Sequence, residues 1–239
     1  MDIIPVVDIM GGVAVHAREG RREQYRPLQS MLCSTPKPEA VIRGLLSLYP
    51  FKRVYIADLD ALMGKDPQTN LAVELEHCFP KVEFWMDRGL PRLSELESFP
   101  VKKHARSVVG SESLSEESLP LLARSYPDFI LSLDFLGDRL LGAEQLLYSP
   151  ELWPETVILM SLSHVGSTAG PDFDRLASFR RKHPHRRFIV AGGVRDEQDL
   201  IRLKSMETAG VLLASALHSG TIDSRLIGRV IEDSEEAVT

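Results

Sequence analysis

The sequence has few cysteines, no long apolar run and no excess of basic residues, and each shortage excludes a class of protein. Cys33 and Cys78 are the two cysteines in 239 residues, too few and too far apart for a disulfide framework or a zinc site. No window reaches the ~18 consecutive apolar residues of a membrane-spanning helix, and the first residues lack a basic-then-apolar leader. We therefore expect reduced thiols, a cytoplasmic location and no membrane partner.

The charge balance argues against a nucleic-acid partner. The formal net charge is −6, whereas binding to phosphate backbones requires a basic face. Residues 18–26 are the exception, because they contain four arginines and two glutamates. This segment is either a solvated loop or a place where an anion is captured.

Length and composition are those of one folded domain. Hydrophobic residues make up 44% and charged residues 26%, as in ordinary soluble proteins. An α/β barrel of about 250 residues folds as a single domain, so residues 1–239 are expected to form one core. The acidic residues 233–239 lack a cap and are expected to fray as a tail.

Short apolar segments alternate with helix-like segments along the whole chain. Eight of them have the β-branched, apolar character of strands buried on both faces: 3–8, 53–58, 82–87, 105–110, 128–134, 156–161, 187–192 and 209–214. Helical spacing predicts helices at 37–49, 70–79, 93–99, 113–125, 144–147, 172–182 and 196–204, the fourth opened by a capping box at Ser113 and Glu116. The alternation predicts an α/β fold, a closed (β/α)8 TIM barrel. An open, doubly wound sheet is the alternative, but the sequence has no nucleotide fingerprint and no polar edge strand.

The two halves of the sequence have matching parts. At one constant offset along the chain, Gly89 matches Gly193 and Gly110 matches Ala214. The first segment matches the fifth at a longer offset, which longer early loops explain. We therefore expect two repeated half-barrels, about 1–123 and 124–232.

Aspartates end two of the matching strands. Asp8 ends the first segment and Asp134 ends the fifth. In a closed eight-stranded barrel these strands lie on opposite sides of the axis, so both carboxylates would face each other across the C-terminal mouth, where barrel enzymes have their active sites. Such a pair suits acid–base catalysis if the surroundings separate the two pKa values. The alternative for each aspartate is a turn or helix-cap role.

Small residues at strand ends predict phosphate binding. Glycine there lets backbone N–H groups approach an anion, and the next helix directs its positive end to the same place. The predicted phosphate-binding residues form two groups related by the repeat: Gly192, Gly193, Ala214 and Ser215 in one, and Gly89, Gly110 and Ser111 in the other. Together they predict a phosphorylated small molecule held at both ends.

These features resemble the HisA/HisF family of histidine biosynthesis over nearly the whole chain, above all its ProFAR isomerase branch. The resemblance implies that Asp8 is the general base and Asp134 the general acid in an Amadori rearrangement of an aminoaldose ribotide to the aminoketose. It also implies that no cofactor is needed, because the iminium intermediate is itself the electron sink.

The chain differs from the family pattern at several places. It is less similar to the cyclase branch, since Val7 and His16 stand where that branch has a cysteine and a lysine, and no glutaminase partner is expected. Asp87-Arg88-Gly89 replaces a glycine run after the third strand, and Val165-Gly166 replaces an Asp-Gly pair after the sixth. The possible substrate contacts are His16, Arg88, Ser161 and His164.

Three other functions stay open. The chain also resembles a divergent branch of HisA-related proteins associated with one-carbon cofactor biosynthesis, of tetrahydromethanopterin or methanofuran. A metal-assisted aldolase or lyase is suggested by Asp8, Asp58, Asp60, Asp87 and Asp134, because hard divalent cations favour oxygen ligands, although no spacing specifies a metal and none is predicted. The third is a barrel that binds a phosphorylated ligand without catalysis.

Overall fold

The computed structural model describes residues 1–66, 70–89 and 105–232, and for residue 232 the backbone alone. Eight parallel strands form a barrel, and three further strands extend it as hairpins. In chain order the strands are β1 (Asp2–Met10), β2 (Val13–His16), β3 (Arg26–Pro27), β4 (Arg53–Asp58), β5 (Glu83–Asp87), β6 (Ala105–Gly110), β7 (Ile130–Leu136), β8 (Arg139–Leu140), β9 (Thr156–Ser161), β10 (Arg187–Ala191) and β11 (Gly210–Leu213).

Pairing between the first and last strands closes the barrel. The neighbours run β1, β4, β5, β6, β7, β9, β10 and β11, and β11 pairs in parallel with β1, with Asp2 beside Gly210 and Pro5 beside Leu213. This closure confirms the (β/α)8 barrel and excludes the open sheet. The half-barrel division stays a prediction.

The described helices connect the strands, apart from the last two, which follow β11. They are α1 (Pro38–Leu48), α2 (Leu59–Leu62), α3 (Leu71–Cys78), α4 (Ser118–Ser125), α5 (Phe173–Lys182), α6 (Glu197–Ser205), α7 (Ser215–His218) and α8 (Ser224–Glu232). The segment predicted as helical at 144–147 is a 3-10 helix, Glu144–Tyr148. The helix predicted at 93–99 and the tail at 233–239 lie outside the described residues. Within the described ranges, no helix has the length and apolarity needed to cross a membrane.

The predicted capping box at Ser113 and Glu116 is wrong. Ser113 ends a 3-10 helix, and α4 begins only at Ser118. Ser115 and Ser118 bond each other instead, since the amide of Ser115 donates to the Ser118 hydroxyl at 2.8 Å and the amide of Ser118 donates to the Ser115 hydroxyl at 3.2 Å. Short serine side chains compete with helical hydrogen bonds in this way, so the helix starts later.

Side chains alternate between the barrel interior and the helix layer. One buried cluster consists mainly of inward-facing strand residues, among them Ile4, Trp85 and Ile158. The larger cluster joins the outer strand faces to the helices. This period of two brings Asp8 and Asp134 to the inner face. β1 continues past Asp8 to Met10, because the turn at Gly11 and Gly12, both at positive φ, returns the chain as a hairpin.

Candidate active site

A cavity of about 380 Å³ opens at the carboxyl ends of the barrel strands. Side chains from the last residues of the strands form its floor, and loops form its walls. Its described lining includes Asp8, Ala57, Asp87, Asp134, Met160, Ala191 and Leu213 from the strands. This is the end of the fold at which barrel enzymes work.

Asp134 lies in this cavity, held by two serines. The hydroxyl of Ser132 donates to its Oδ1 at 2.6 Å, and its own amide donates to Ser111 Oγ at 2.9 Å. Burial raises the pKa of the Asp134 carboxyl to about 7, and the nearby charge of Asp87 adds to the increase. The group therefore exchanges a proton near neutral pH.

Asp8 faces the same cavity from the other side of the barrel. Its strand, β1, is four strands from β7 in either direction around the barrel. Burial raises the pKa of Asp8 to about 7, while the positive charge of Arg22 opposes the increase and Asp87 adds to it. Tyr25 also lines the cavity, and burial together with the Asp8 charge raises its pKa to about 12, so its phenol remains a hydrogen-bond donor.

A tyrosine–aspartate pair adds a third carboxylate to the cavity. The buried Tyr55 hydroxyl donates to Asp87 Oδ2 at 2.7 Å, and the Gly89 amide donates to Asp87 Oδ1 at 3.2 Å. Burial raises the pKa of Asp87 to about 6, although both hydrogen bonds oppose the increase. Sequence reasoning noted Asp87 and missed Tyr55; the signal available was a tyrosine on the inward-facing period of a barrel strand.

An ion pair joins two loops at the rim of the cavity. Arg22 Nη2 lies 2.5 Å from Glu112 Oε1, both side chains line the cavity, and each is one-quarter exposed. Arg22 belongs to the arginine-rich segment 18–26, and Glu112 follows β6. The segment therefore brings one cation into the cavity, which a purely solvated loop would not do. Arg22 was noted from the sequence only as one of the four arginines of this segment, and Glu112 was not singled out.

The first predicted phosphate group lines the cavity. Gly192, Gly193, Ala214 and Ser215, here called the Gly193 end, are all part of the described lining. Gly193 has φ +86°, and a Cβ there would collide with the carbonyl oxygen of Gly170. Glycine is thus required for the close approach of two loops, and its backbone lies open to the cavity.

In the described part of the chain, the second predicted phosphate group lines neither this cavity nor an adjoining one of about 370 Å³. It consists of Gly89, Gly110 and Ser111, here called the Gly89 end. A Cβ on Gly110 would lie 2.6 Å from Asp134 Oδ2, and Ser111 is fully buried behind that carboxylate. The chain's own side chains occupy the space beside these residues.

The possible substrate contacts are scattered. His16 lines an adjoining cavity of about 370 Å³, and its Nε2 lies 3.2 Å from Ser215 Oγ. His164 is anchored through Nδ1 to the carbonyl oxygen of Gly170 at 2.7 Å. Ser161 is buried, with its carbonyl against Gly192. Arg88, Ser161 and His164 are not in the described lining of either cavity.

The other strand-end aspartates bond to loop backbones. Asp58 Oδ1 accepts from the Ala61 amide at 3.2 Å and caps α2, and Asp60 Oδ2 accepts from the Gly11 amide at 2.6 Å. Neither lines the cavity in its described part. Across the described ranges, no three His, Cys, Asp or Glu side chains are grouped so that they could hold a metal ion.

Comparison with known proteins identifies the family. The model of the family described as "Histidine biosynthesis protein" matches residues 2–223. The chain belongs to this histidine-biosynthesis family. The predicted resemblance is therefore confirmed, and the protein is a HisA-like member of the family.

The relatives of this HisA-like protein share sequence at low identity over almost the full length. An uncharacterized protein of Methanocaldococcus jannaschii is 29% identical, with 93% of this chain and 96% of the relative covered. Two isomerases are named for an imidazole-4-carboxamide substrate that carries two 5-phosphoribosyl groups. The one from Bacillus cereus is 26% identical, with 93% of this chain and 95% of the relative covered. The one from Alkaliphilus metalliredigens is 23% identical, with 93% of this chain and 96% of the relative covered.

Proposed function

We propose that this HisA-like protein catalyses an Amadori-type aldose–ketose rearrangement of a phosphorylated sugar or ribotide. The isomerase names of the relatives support the reaction class, and the site supports the chemistry. The observation that carries the proposal is the pair of aspartates, Asp8 and Asp134, which line one cavity from opposite sides with pKa values raised to about 7.

The reaction needs one proton donor and one proton acceptor. Protonated Asp134 donates to the ring oxygen of the aminoaldose, the ring opens, and the nitrogen lone pair forms an iminium at C1. Ionised Asp8 then removes the C2 proton, and the electron pair moves into the iminium to give an enaminol. Proton return to C1 and loss of the C2 hydroxyl proton give the aminoketose, so no electrons leave the substrate and no cofactor is consumed.

The surroundings favour this division of roles. The charges of Asp87 and Glu112 favour the protonated form of Asp134, whereas the positive charge of Arg22 favours the ionised form of Asp8. General acids and bases work best with pKa values near the working pH, and both groups meet that condition. In this proposal the Gly193 end holds the phosphate through backbone N–H groups and the Ser215 hydroxyl.

Proton exchange at C2 of the substrate tests the function directly. Purified protein is incubated in D2O with the imidazole-carboxamide ribotide named for the relatives and with simpler phosphorylated aminoaldoses, and deuterium incorporation and ketose formation are followed by NMR. Asp8→Asn and Asp134→Asn should each reduce turnover by about 10²- to 10⁴-fold. Asp128→Asn, an exposed aspartate outside the cavity, is the matched control.

The outcome separates the remaining functions. Turnover that survives in both cavity variants contradicts the mechanism. Tight binding of phosphorylated ligands without exchange favours the non-catalytic barrel. Activity on a precursor of a one-carbon cofactor, with none on the ribotide, favours a paralogue outside histidine synthesis; that alternative stays a prediction, as does the absence of a glutaminase partner.

A further inference from the structure

The two ends of the cavity differ in a way that bears on the substrate. We infer that the cavity takes a substrate with a single phosphate, bound at the Gly193 end, and that Asp87 and Asp134 exclude a second phosphate from the Gly89 end. This inference deepens the proposed function and rests on it for the presence of a phosphorylated ligand.

The backbone donor at the Gly89 end is already used. The amide of Gly89 donates to Asp87 Oδ1 at 3.2 Å, and the Tyr55 hydroxyl donates to the other carboxylate oxygen, Oδ2, at 2.7 Å. An anion beside Gly89 would need that same N–H group. The internal carboxylate therefore takes the place that a ligand phosphate would occupy, and the buried tyrosine holds it there.

The neighbouring strand end is covered as well. A Cβ on Gly110 would lie 2.6 Å from Asp134 Oδ2. The space above this glycine is therefore filled by a carboxylate. The Ser111 hydroxyl accepts a hydrogen bond from the Asp134 amide at 2.9 Å and faces that carboxylate. Glycine at residue 110 thus makes room for Asp134, and the adjacent serine is turned towards it.

The charges at the Gly89 end also disfavour a phosphate there. Asp87, Asp134 and Glu112 line this side of the cavity, and the cation among them, Arg22, is paired with Glu112. A phosphate there would be buried against carboxylates, where repulsion is weakly screened. None of the four residues of the Gly193 end is charged.

The substrate's other end must therefore offer hydrogen-bond donors. Asp87 presents carboxylate oxygens to this side of the cavity, and these accept hydrogen bonds when ionised. A hydroxyl or amino group satisfies them, whereas a phosphate does not. The predicted ligand is a singly phosphorylated sugar derivative with donors at its far end, unlike the doubly phosphoribosylated compound named for the relatives.

Equilibrium binding of two probes tests the inference. Isothermal titration calorimetry measures the Kd of ribose 5-phosphate and of ribose 1,5-bisphosphate for the wild-type protein and for Asp87→Gly. The wild type should bind the bisphosphate no more tightly than the monophosphate. Asp87→Gly frees the Gly89 amide and removes a charge, so it should shift the ratio of the two Kd values towards the bisphosphate by about tenfold or more.

Controls keep the result interpretable. Asp138→Gly removes a fully exposed carboxylate and should leave the ratio unchanged. If Asp87→Gly does not fold by circular dichroism, Asp87→Asn removes the charge at nearly constant size and should shift the ratio in the same direction.

Three results would overturn the inference: tenfold tighter binding of the bisphosphate by the wild type, an unchanged ratio in the Asp87 variants, or no saturable binding of either probe. Binding needs no turnover, so the ratio can behave as expected even if the protein proves not to be an isomerase. Conversely, isomerisation of a doubly phosphorylated substrate would support the function and contradict the single phosphate.

Discussion

The predicted repeat matches the Gly193 end to the Gly89 end, yet one presents backbone to the cavity and the other is covered by carboxylates. At the Gly89 end, Gly110 has no side chain and Asp134 fills the space above it. At the position that the repeat matches to it, Ala214 carries a methyl group and lines the cavity. The comparison teaches that a glycine at a strand end can make room for the chain's own carboxylate as readily as for a ligand.

Gly193→Ala should give the largest effect, on stability. The residue has φ +86°, and its new Cβ would collide with the Gly170 carbonyl, so we expect a loss of about 3 kcal/mol or more in the free energy of unfolding. Urea denaturation measures the change. Gly12→Ala, at φ +78° but with open space around it, should cost only about 1 to 2 kcal/mol. Equal losses at both positions would show that packing against Gly170 does not matter.

Gly110→Ala should mainly affect turnover. The backbone at Gly110 has no positive φ, but its Cβ would meet Asp134 Oδ2, a movable side-chain atom. The carboxyl must move aside, and we expect kcat to fall by about 10- to 100-fold because small displacements of a catalytic group are costly. Steady-state kinetics measure it, with urea denaturation alongside. Unchanged kcat in the folded variant would mean that Asp134 does not act from this position.

Asp134→Asn should stabilise the protein at high pH while it lowers turnover. The folded-state pKa of Asp134 is about 7, against 3.8 as the ordinary value. The folded state therefore keeps its full stability at pH values below the ordinary pKa, and loses this contribution as the pH rises from there through 7. At pH 8 the buried, ionised carboxylate of Asp134 lowers the free energy of unfolding by at most about 4 kcal/mol. We expect Asp134→Asn to raise the free energy of unfolding by about 1 to 2 kcal/mol, because changes in hydrogen bonding offset part of that amount. The gain should vanish at pH 4. A variant that is less stable than wild type at pH 8 would contradict the burial argument.

Arg22→Gln should shift the pH dependence of the reaction. Arg22 holds the pKa of Asp8 below the value that burial alone would give, so its loss should raise that pKa further. In the proposed mechanism ionised Asp8 is the base, so the acidic limb of the rate profile should move up by about half to one pH unit. Arg21→Gln, at a mostly exposed neighbour, is the control. A shift to lower pH would contradict the assigned base.

Local patterns in the sequence predict the framework of this site. Apolar, β-branched segments indicate the barrel strands, and the period of two brings Asp8 and Asp134 to the inner face. Gly192, Gly193, Ala214 and Ser215 follow from strand ends in the same way. These features depend on a few neighbouring residues, which is why they could be predicted.

The rest of the site depends on contacts between residues far apart in the chain. Tyr55 meets Asp87 from a different strand, and Arg22 reaches Glu112 across the barrel mouth. Long-range contacts of this kind leave no periodic pattern in the sequence. The same limit applies to the Gly89 end, where the glycines are a local signal but the carboxylate that fills the space above Gly110 comes from another strand.

The pairing of β1 with β11 has a consequence for how the protein assembles. Asp8 lies on a strand whose two barrel neighbours come from opposite ends of the sequence, β4 early and β11 late. Contacts of such high sequence separation form slowly, because most of the intervening chain must be ordered first. On the ribosome β1 can therefore complete its pairing only after nearly the whole chain has emerged. The barrel mouth that holds the proposed acid–base pair is complete only when the last strand has joined the first.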